Sequence, residues 1–141
     1  MLYSSFESSQ ARYVLILFTA IGCALGGIAR YLITSWVTRQ FGDGFPWGTL
    51  VVNVLGSFLL GCVLGAGISP ADSWLSLQRA HAFAAIGFCG GLTTFSTFSL
   101  QTLNLVSRQQ WGRVAANALG SLALCALCAI AGFMIMEGLT A

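Results

Sequence analysis

The amino-acid sequence predicts an all-α integral membrane protein with four transmembrane helices, the third of them broken near mid-membrane. Three observations point there. The chain of 141 residues is 57% hydrophobic and only 7% charged. Its charges fall at the ends of long uncharged stretches, and the third stretch holds a glycine pair followed by a run of hydroxyls. A soluble domain draws roughly a quarter of its residues from Asp, Glu, Lys and Arg. Disorder requires low hydrophobicity and high net charge, whereas the net charge here is +2. Lysine is absent and no basic patch forms, so nothing points to nucleic acid.

The uncharged stretches run Tyr13 to Ala29, Gly44 to Ala71, Ala82 to Ser107 and Val114 to Met136. A helix needs roughly 20 apolar residues to cross the hydrocarbon core. We therefore expect spans near 13–38, 47–68, 80–106 and 112–137, forming one domain over 13–141 behind a short N-terminal tail, 1–12. The first stretch also resembles a signal peptide, with Arg12 before it and small residues near Cys23. Apolar character resumes beyond Arg30 through Tyr31, Leu32, Ile33 and Trp36, however, which favours a long tilted helix with Arg30 turned toward the protein interior.

Connections are short: a Gly/Pro turn at Phe41–Pro46, a loop at Ser69–Ser76 and a basic turn at Ser107–Arg113. Across four spans, Arg12 and Arg79 lie on one side, and Arg39, Arg108 and Arg113 on the other. The positive-inside rule has little bias to act on. Either so few charges leave orientation to other signals, or the chain inserts both ways and two copies pair around an axis in the membrane plane.

Small residues recur at four-residue spacing, which puts them on one helix face: Gly22 and Gly26 before Arg30, then Ser57, Gly61 and Gly65, then Gly112, Ala116 and Gly120. Such faces allow close helix packing in lipid. The five cysteines (Cys23, Cys62, Cys89, Cys125, Cys128) sit inside the expected spans. The Cys125/Cys128 pair has no second pair beside it, so these residues read as packing. The third span is different. Gly90 and Gly91 followed by Thr93, Thr94, Ser96, Thr97 and Ser99 make a poor continuous helix, since glycine costs about 1 kcal/mol in a helix interior. A break there frees backbone groups that need a buried partner, an ion or water, and broken helices at mid-membrane often mark ion sites.

Three elements carry a family resemblance: Gly26-Gly27-Ile28-Ala29-Arg30-Tyr31, then Gly48-Thr49-Leu50-Val51-Val52-Asn53-Val54-Leu55-Gly56-Ser57-Phe58, then Gly90 through Ser99. In this order and on these spans the chain resembles the Fluc (CrcB) family of fluoride-specific channels. The resemblance implies a passive fluoride channel of the bacterial inner membrane, built as an antiparallel, dual-topology homodimer with two pores. It implies that Phe95 and Phe98 line the pore and that Asn53 faces it, with Thr49, Ser96, Thr97 and Ser121 as further pore residues and Arg30 in the vestibule. It also implies a structural sodium ion at the dimer interface, held by the backbone carbonyls of Gly90 and Thr93.

The chemistry of these residues agrees with an anion path. A small, strongly hydrated anion needs weak donors in place of water, and fixed cations in a narrow path would hold it too tightly. An amide N–H2 at Asn53 and the electropositive ring edges of Phe95 and Phe98 are donors of that kind. Arg30, an ionisable residue inside a span, is expected to concentrate anions at the entrance. Where relatives carry a tyrosine, a serine and a glutamate, this chain has Asn117, Cys125 and Gln101. A proton-coupled drug exporter needs an intramembrane carboxylate, but Glu7, Asp43, Asp72 and Glu137 lie at or beyond span ends. A non-conducting assembly subunit would leave the amide and hydroxyl cluster without a purpose. His81 is the sole histidine and no nucleophile–base pair is visible, so an enzyme is not expected.

Overall fold

Long apolar stretches satisfy their backbone groups in lipid by winding into helices, and the fold follows from that constraint. The computed structural model describes residues 2–66 and 74–140. Most of the connection expected at Ser69–Ser76 lies outside them. Helix α1 runs Leu2–Phe41 and takes in residues whose composition reads as a tail. Its end is set by Gly42, whose φ of 75° is left-handed and whose N–H returns to the Thr38 carbonyl at 2.8 Å. That is the usual glycine stop. Helix α2 (Trp47–Gly65) starts behind Pro46, where a missing N–H costs nothing.

The third span is composite. Helix α3 (Trp74–His81) passes into a π-helical segment, Ala82–Cys89, and then a single α turn, α4 (Gly90–Leu92). Thr93 (φ −85°, ψ 158°) and Thr94 (φ −151°, ψ 123°) are extended. Helix α5 then begins afresh at Phe95 and runs to Ser107. The two glycines that mark this region in the sequence are themselves helical, and the extended residues come after them. Helix α6 (Trp111–Thr140) completes the chain. Between α5 and α6, Gln109 takes a left-handed φ of 56°. The N–H groups of Gln109 and Gln110 return to the carbonyls of Val106 and Leu105 at 2.8 and 3.0 Å, the paired bonds of a Schellman cap.

Among the described residues, four helical stretches are long and apolar enough to cross a membrane: Arg12–Phe41, Trp47–Gly65, Gln78–Ser107 and Trp111–Thr140. Large apolar side chains such as Leu17, Leu32, Leu59, Leu103 and Leu127 stand exposed on their outer faces, as lipid requires. The chain is a multi-pass membrane protein.

Two glycine seams hold the bundle. On α1, a Cβ at Gly22 or Gly26 would collide with the backbone of Phe83 or Phe88, and one at Gly91 would collide with Cys23. Between α2 and α6, Gly61 and Gly65 lie against the Ala129 and Phe133 backbones, while Gly132 lies against Phe58 and Cys62. The α1 and α2 faces read from the sequence are therefore packing faces. On α6, nothing among the chain's own described residues lies within 4 Å of a Cβ placed at Gly112 or Gly120, and the contact with α2 runs through Gly132. Gly56 brings α2 against the Thr93 methyl.

Candidate functional site

Two extended residues inside a membrane span expose peptide groups that a helix would have paired, and each needs another partner. Side chains supply them. The Asn53 carboxamide, from α2, closes on Thr94 from both ends. Its Oδ1 accepts from the Thr94 N–H at 2.8 Å, and its Nδ2 donates to the Thr94 carbonyl at 3.1 Å. From α1, Arg30 Nη1 donates to the Thr93 carbonyl at 3.2 Å. The Thr93 N–H and hydroxyl both donate to the Cys89 carbonyl, each at 3.0 Å. Thr94 then caps the restarted helix: its Oγ1 accepts from the Thr97 N–H at 3.3 Å and donates to Thr97 Oγ1 at 3.1 Å. Ser96 Oγ lies 3.3 Å from the same hydroxyl. A threonine in extended conformation three residues before a donor N–H is an N-cap.

These bonds redirect one group with consequences. In an unbroken helix the Thr94 N–H would serve the Gly90 carbonyl; here it serves Asn53. The Gly90 carbonyl is left to other partners, on a residue exposed at the surface of the chain.

Beside the extended pair lies a cavity of about 420 Å³. Its lining includes Asn53, Gly90, Thr93, Thr94, Phe95, Phe98 and Ser121, together with Ser57, Cys89, Leu122 and Cys125. The Phe95 and Phe98 rings lie 5.8 Å apart, inclined at 39°. Phe95 is 80% exposed, so one side of the cavity is an open flank of the chain. Ser121 is buried and its hydroxyl has no partner.

The expected site residues thus divide. Asn53, Phe95, Phe98, Ser121, Gly90 and Thr93 meet at one cavity. Arg30 touches its edge through Thr93. Ser96 and Thr97 do not line it, and instead belong to the hydroxyl cluster of the cap. Thr49, one turn from Asn53, is 3% exposed with an unpartnered hydroxyl and lies outside the lining. Gln101, whose Oε1 is buried and unpartnered, lines a separate cavity of about 130 Å³ with Thr34, Thr38, Asp43, Asn104 and Arg108. Sequence reasoning missed Thr94, though its N-cap pattern before Thr97 is legible. It also missed Cys89 as a lining residue, which no sequence signal marks, whereas Cys125 stands one turn from Ser121 on the fourth-span face where relatives carry serines, and it does line the cavity.

A four-span membrane protein whose third helix is interrupted beside a carboxamide and a phenylalanine pair has the features that often mark an ion site in membrane proteins. Comparison with known proteins narrows this. The CrcB profile (CrcB-like protein, Camphor Resistance) matches residues 17–133. Over 125 residues the chain is 43% identical to the fluoride-specific ion channel FluC of Opitutus terrae, covering 89% of this chain and 94% of that one. It is 43% identical over 124 residues to FluC of Thermus thermophilus (88% and 92%), and 43% over 126 residues to FluC of Nitrobacter winogradskyi (89% and 98%). The chain belongs to the CrcB family. The family is one of ion channels, not of enzymes.

Proposed function

We propose that this protein is a passive, fluoride-selective channel that lets fluoride leave the cytoplasm across the bacterial inner membrane. The observation that carries the reading is the Thr93–Thr94 interruption, held by Asn53 and Arg30 and opening onto a cavity edged by Phe95 and Phe98. A dehydrated halide needs many weak donors and no strong cation in contact. An amide nitrogen carries two N–H groups, and at Asn53 one is committed to the Thr94 carbonyl. The other is available to the anion, together with the Ser121 hydroxyl and the phenylalanine ring edges. Thr49 extends the same α2 face, and Ser96 and Thr97 stand behind the cap. Arg30 acts from the vestibule side, raising the local anion concentration. Its bond to Thr93 spends part of that charge within the protein.

We read the working unit as an antiparallel homodimer with two pores. A cavity bearing an amide and hydroxyls is costly to leave open to lipid, and the exposed flank at Phe95 is where a second copy would cover it. The nearly balanced arginines on the two sides accord with insertion in both orientations. A structural sodium ion at the dimer centre fits the donors present. Carbonyl oxygens are hard ligands, the Gly90 carbonyl has lost the Thr94 N–H, and the Thr93 carbonyl keeps a lone pair beyond its bond to Arg30. Such an ion would neutralise carbonyl ends and hold two interrupted helices together.

The test is a flux assay. Liposomes holding the purified chain, loaded with either potassium fluoride or potassium chloride and clamped by a potassium ionophore, should empty fluoride while retaining chloride. Equal loss of both halides, or retention of fluoride, contradicts the reading.

A further inference from the structure

Helix α5 carries both phenylalanines, yet its start is severed from α4 by two extended residues. Its position must therefore be fixed from the side. Among the described residues one side-chain hydrogen bond crosses from α5 to α6: Asn117 Nδ2 donates to Thr102 Oγ1 at 2.8 Å. The Thr102 hydroxyl in turn donates to the Phe98 carbonyl at 2.7 Å. A hydroxyl has one proton and two lone pairs, so the direction of both bonds is determined. The hydroxyl proton goes to Phe98, and the bond to α6 uses a lone pair. Asn117 is 2% exposed and does not line the cavity. Phe98 does line it, with its ring 5.8 Å from that of Phe95.

We infer that Asn117 is a positioning residue for the aromatic pair, acting through Thr102. The chain Asn117, Thr102, Phe98 carbonyl ties the first turns of α5 to α6, which also brings Ser121 to the cavity. A buried amide bonded to a hydroxyl fixes both distance and rotation, whereas apolar side chains at these places would let α5 slide along α6. Asn117 touches no ion in this account. It sets where the ring edges stand when one passes. The inference rests on the proposed channel function and deepens it.

The test compares fluoride efflux from liposomes of the full chain and four variants. Thr102→Val keeps the shape and removes the hydroxyl, and Asn117→Leu keeps approximate size and removes the donor. Each should slow efflux about three- to tenfold, the range of one hydrogen bond. The double variant should be no slower than the slower single one, because both changes break one chain. Thr102→Ser, which restores the hydroxyl, should conduct near the wild-type rate. A hydrogen bond that only stabilises the fold would show the same rescue and non-additivity in the melting temperature in detergent, but would leave efflux per assembled protein unchanged in all four variants. If Asn117→Leu fails to assemble, the Thr102→Val and Thr102→Ser pair still decides. Wild-type vesicles that conduct while Thr102→Val conducts equally fast, or single losses that multiply in the double variant, overturn the positioning role alone. Wild-type vesicles that hold their fluoride overturn the channel reading and this inference together.

Discussion

The α2–α6 seam and the Thr93–Thr94 interruption solve opposite problems within one small bundle. In the seam, Gly61, Gly65 and Gly132 let two regular helices approach until backbone meets backbone, and stability comes from close packing where lipid supplies no hydrophobic drive. At the interruption, regular bonding is given up, and long-range side-chain bonds from Asn53 and Arg30 replace it. The seam carries no chemistry. The interruption gathers nearly all of it. A rigid, glycine-packed scaffold is what allows a few side-chain bonds to hold irregular backbone in place, because Asn53 and Thr94 are 41 residues apart in sequence and meet only if the helices are fixed.

Breaking a seam should have the largest effect. Gly26→Val would drive a methyl into the Phe88 carbonyl, and overpacking a backbone contact that cannot yield costs about 3 kcal/mol or more. Size-exclusion chromatography in detergent should show loss of the monodisperse species. Gly112→Ala, with open space around it, should elute as wild type and serves as the control.

Breaking the interruption comes next. Asn53→Leu strips the Thr94 N–H and carbonyl of their partner, at about 1–3 kcal/mol for each buried group left unpaired. Thermal melting in detergent should fall accordingly while the assembly still forms. Changing Arg30 separates charge from geometry. Arg30→Gln should slow efflux at low fluoride about tenfold, the worth of one charge-assisted hydrogen bond. Arg30→Lys keeps the charge but not the planar donor set, so it should recover only part of the rate. Full recovery by lysine would assign Arg30 to recruitment alone and remove its role at Thr93.

The smallest effect lies far from both regions. Gln109 holds a left-handed φ of 56° in the α5–α6 cap, a conformation that costs a residue with a Cβ about 1 kcal/mol. Gln109→Gly should raise the melting temperature slightly and leave flux unchanged.

Much of the fold was legible in the sequence, because charge is excluded from lipid so strictly that the gaps between arginines delimit the spans. The segments Trp47–Gly65 and Trp111–Thr140 lie close to the stretches so marked. Gly90 and Gly91 drew attention to the third span, but their composition could not locate the extended residues. Gly91 is small because Cys23 lies against it, and the chain leaves the helix only at Thr93, where Asn53 can take the Thr94 amide. That pairing, like the choice of Gly132 over Gly112 for the α6 seam, depends on the rotation of one helix against another. The π-helical segment Ala82–Cys89 is apolar throughout and carries no local mark of its wider turn. Likewise, Thr49 stands one turn from Asn53 on α2, yet spacing cannot say whether a hydroxyl reaches a cavity or stops beside it.

The most direct measurement sets initial fluoride efflux from wild-type vesicles beside that from Asn53→Leu vesicles, with equal protein incorporation checked in both. Rapid efflux from the first and a loss of two orders of magnitude or more in the second (about 2.7 kcal/mol) is the predicted result. Equal rates in the two preparations would contradict the claim that ions pass where Asn53 holds the interrupted backbone.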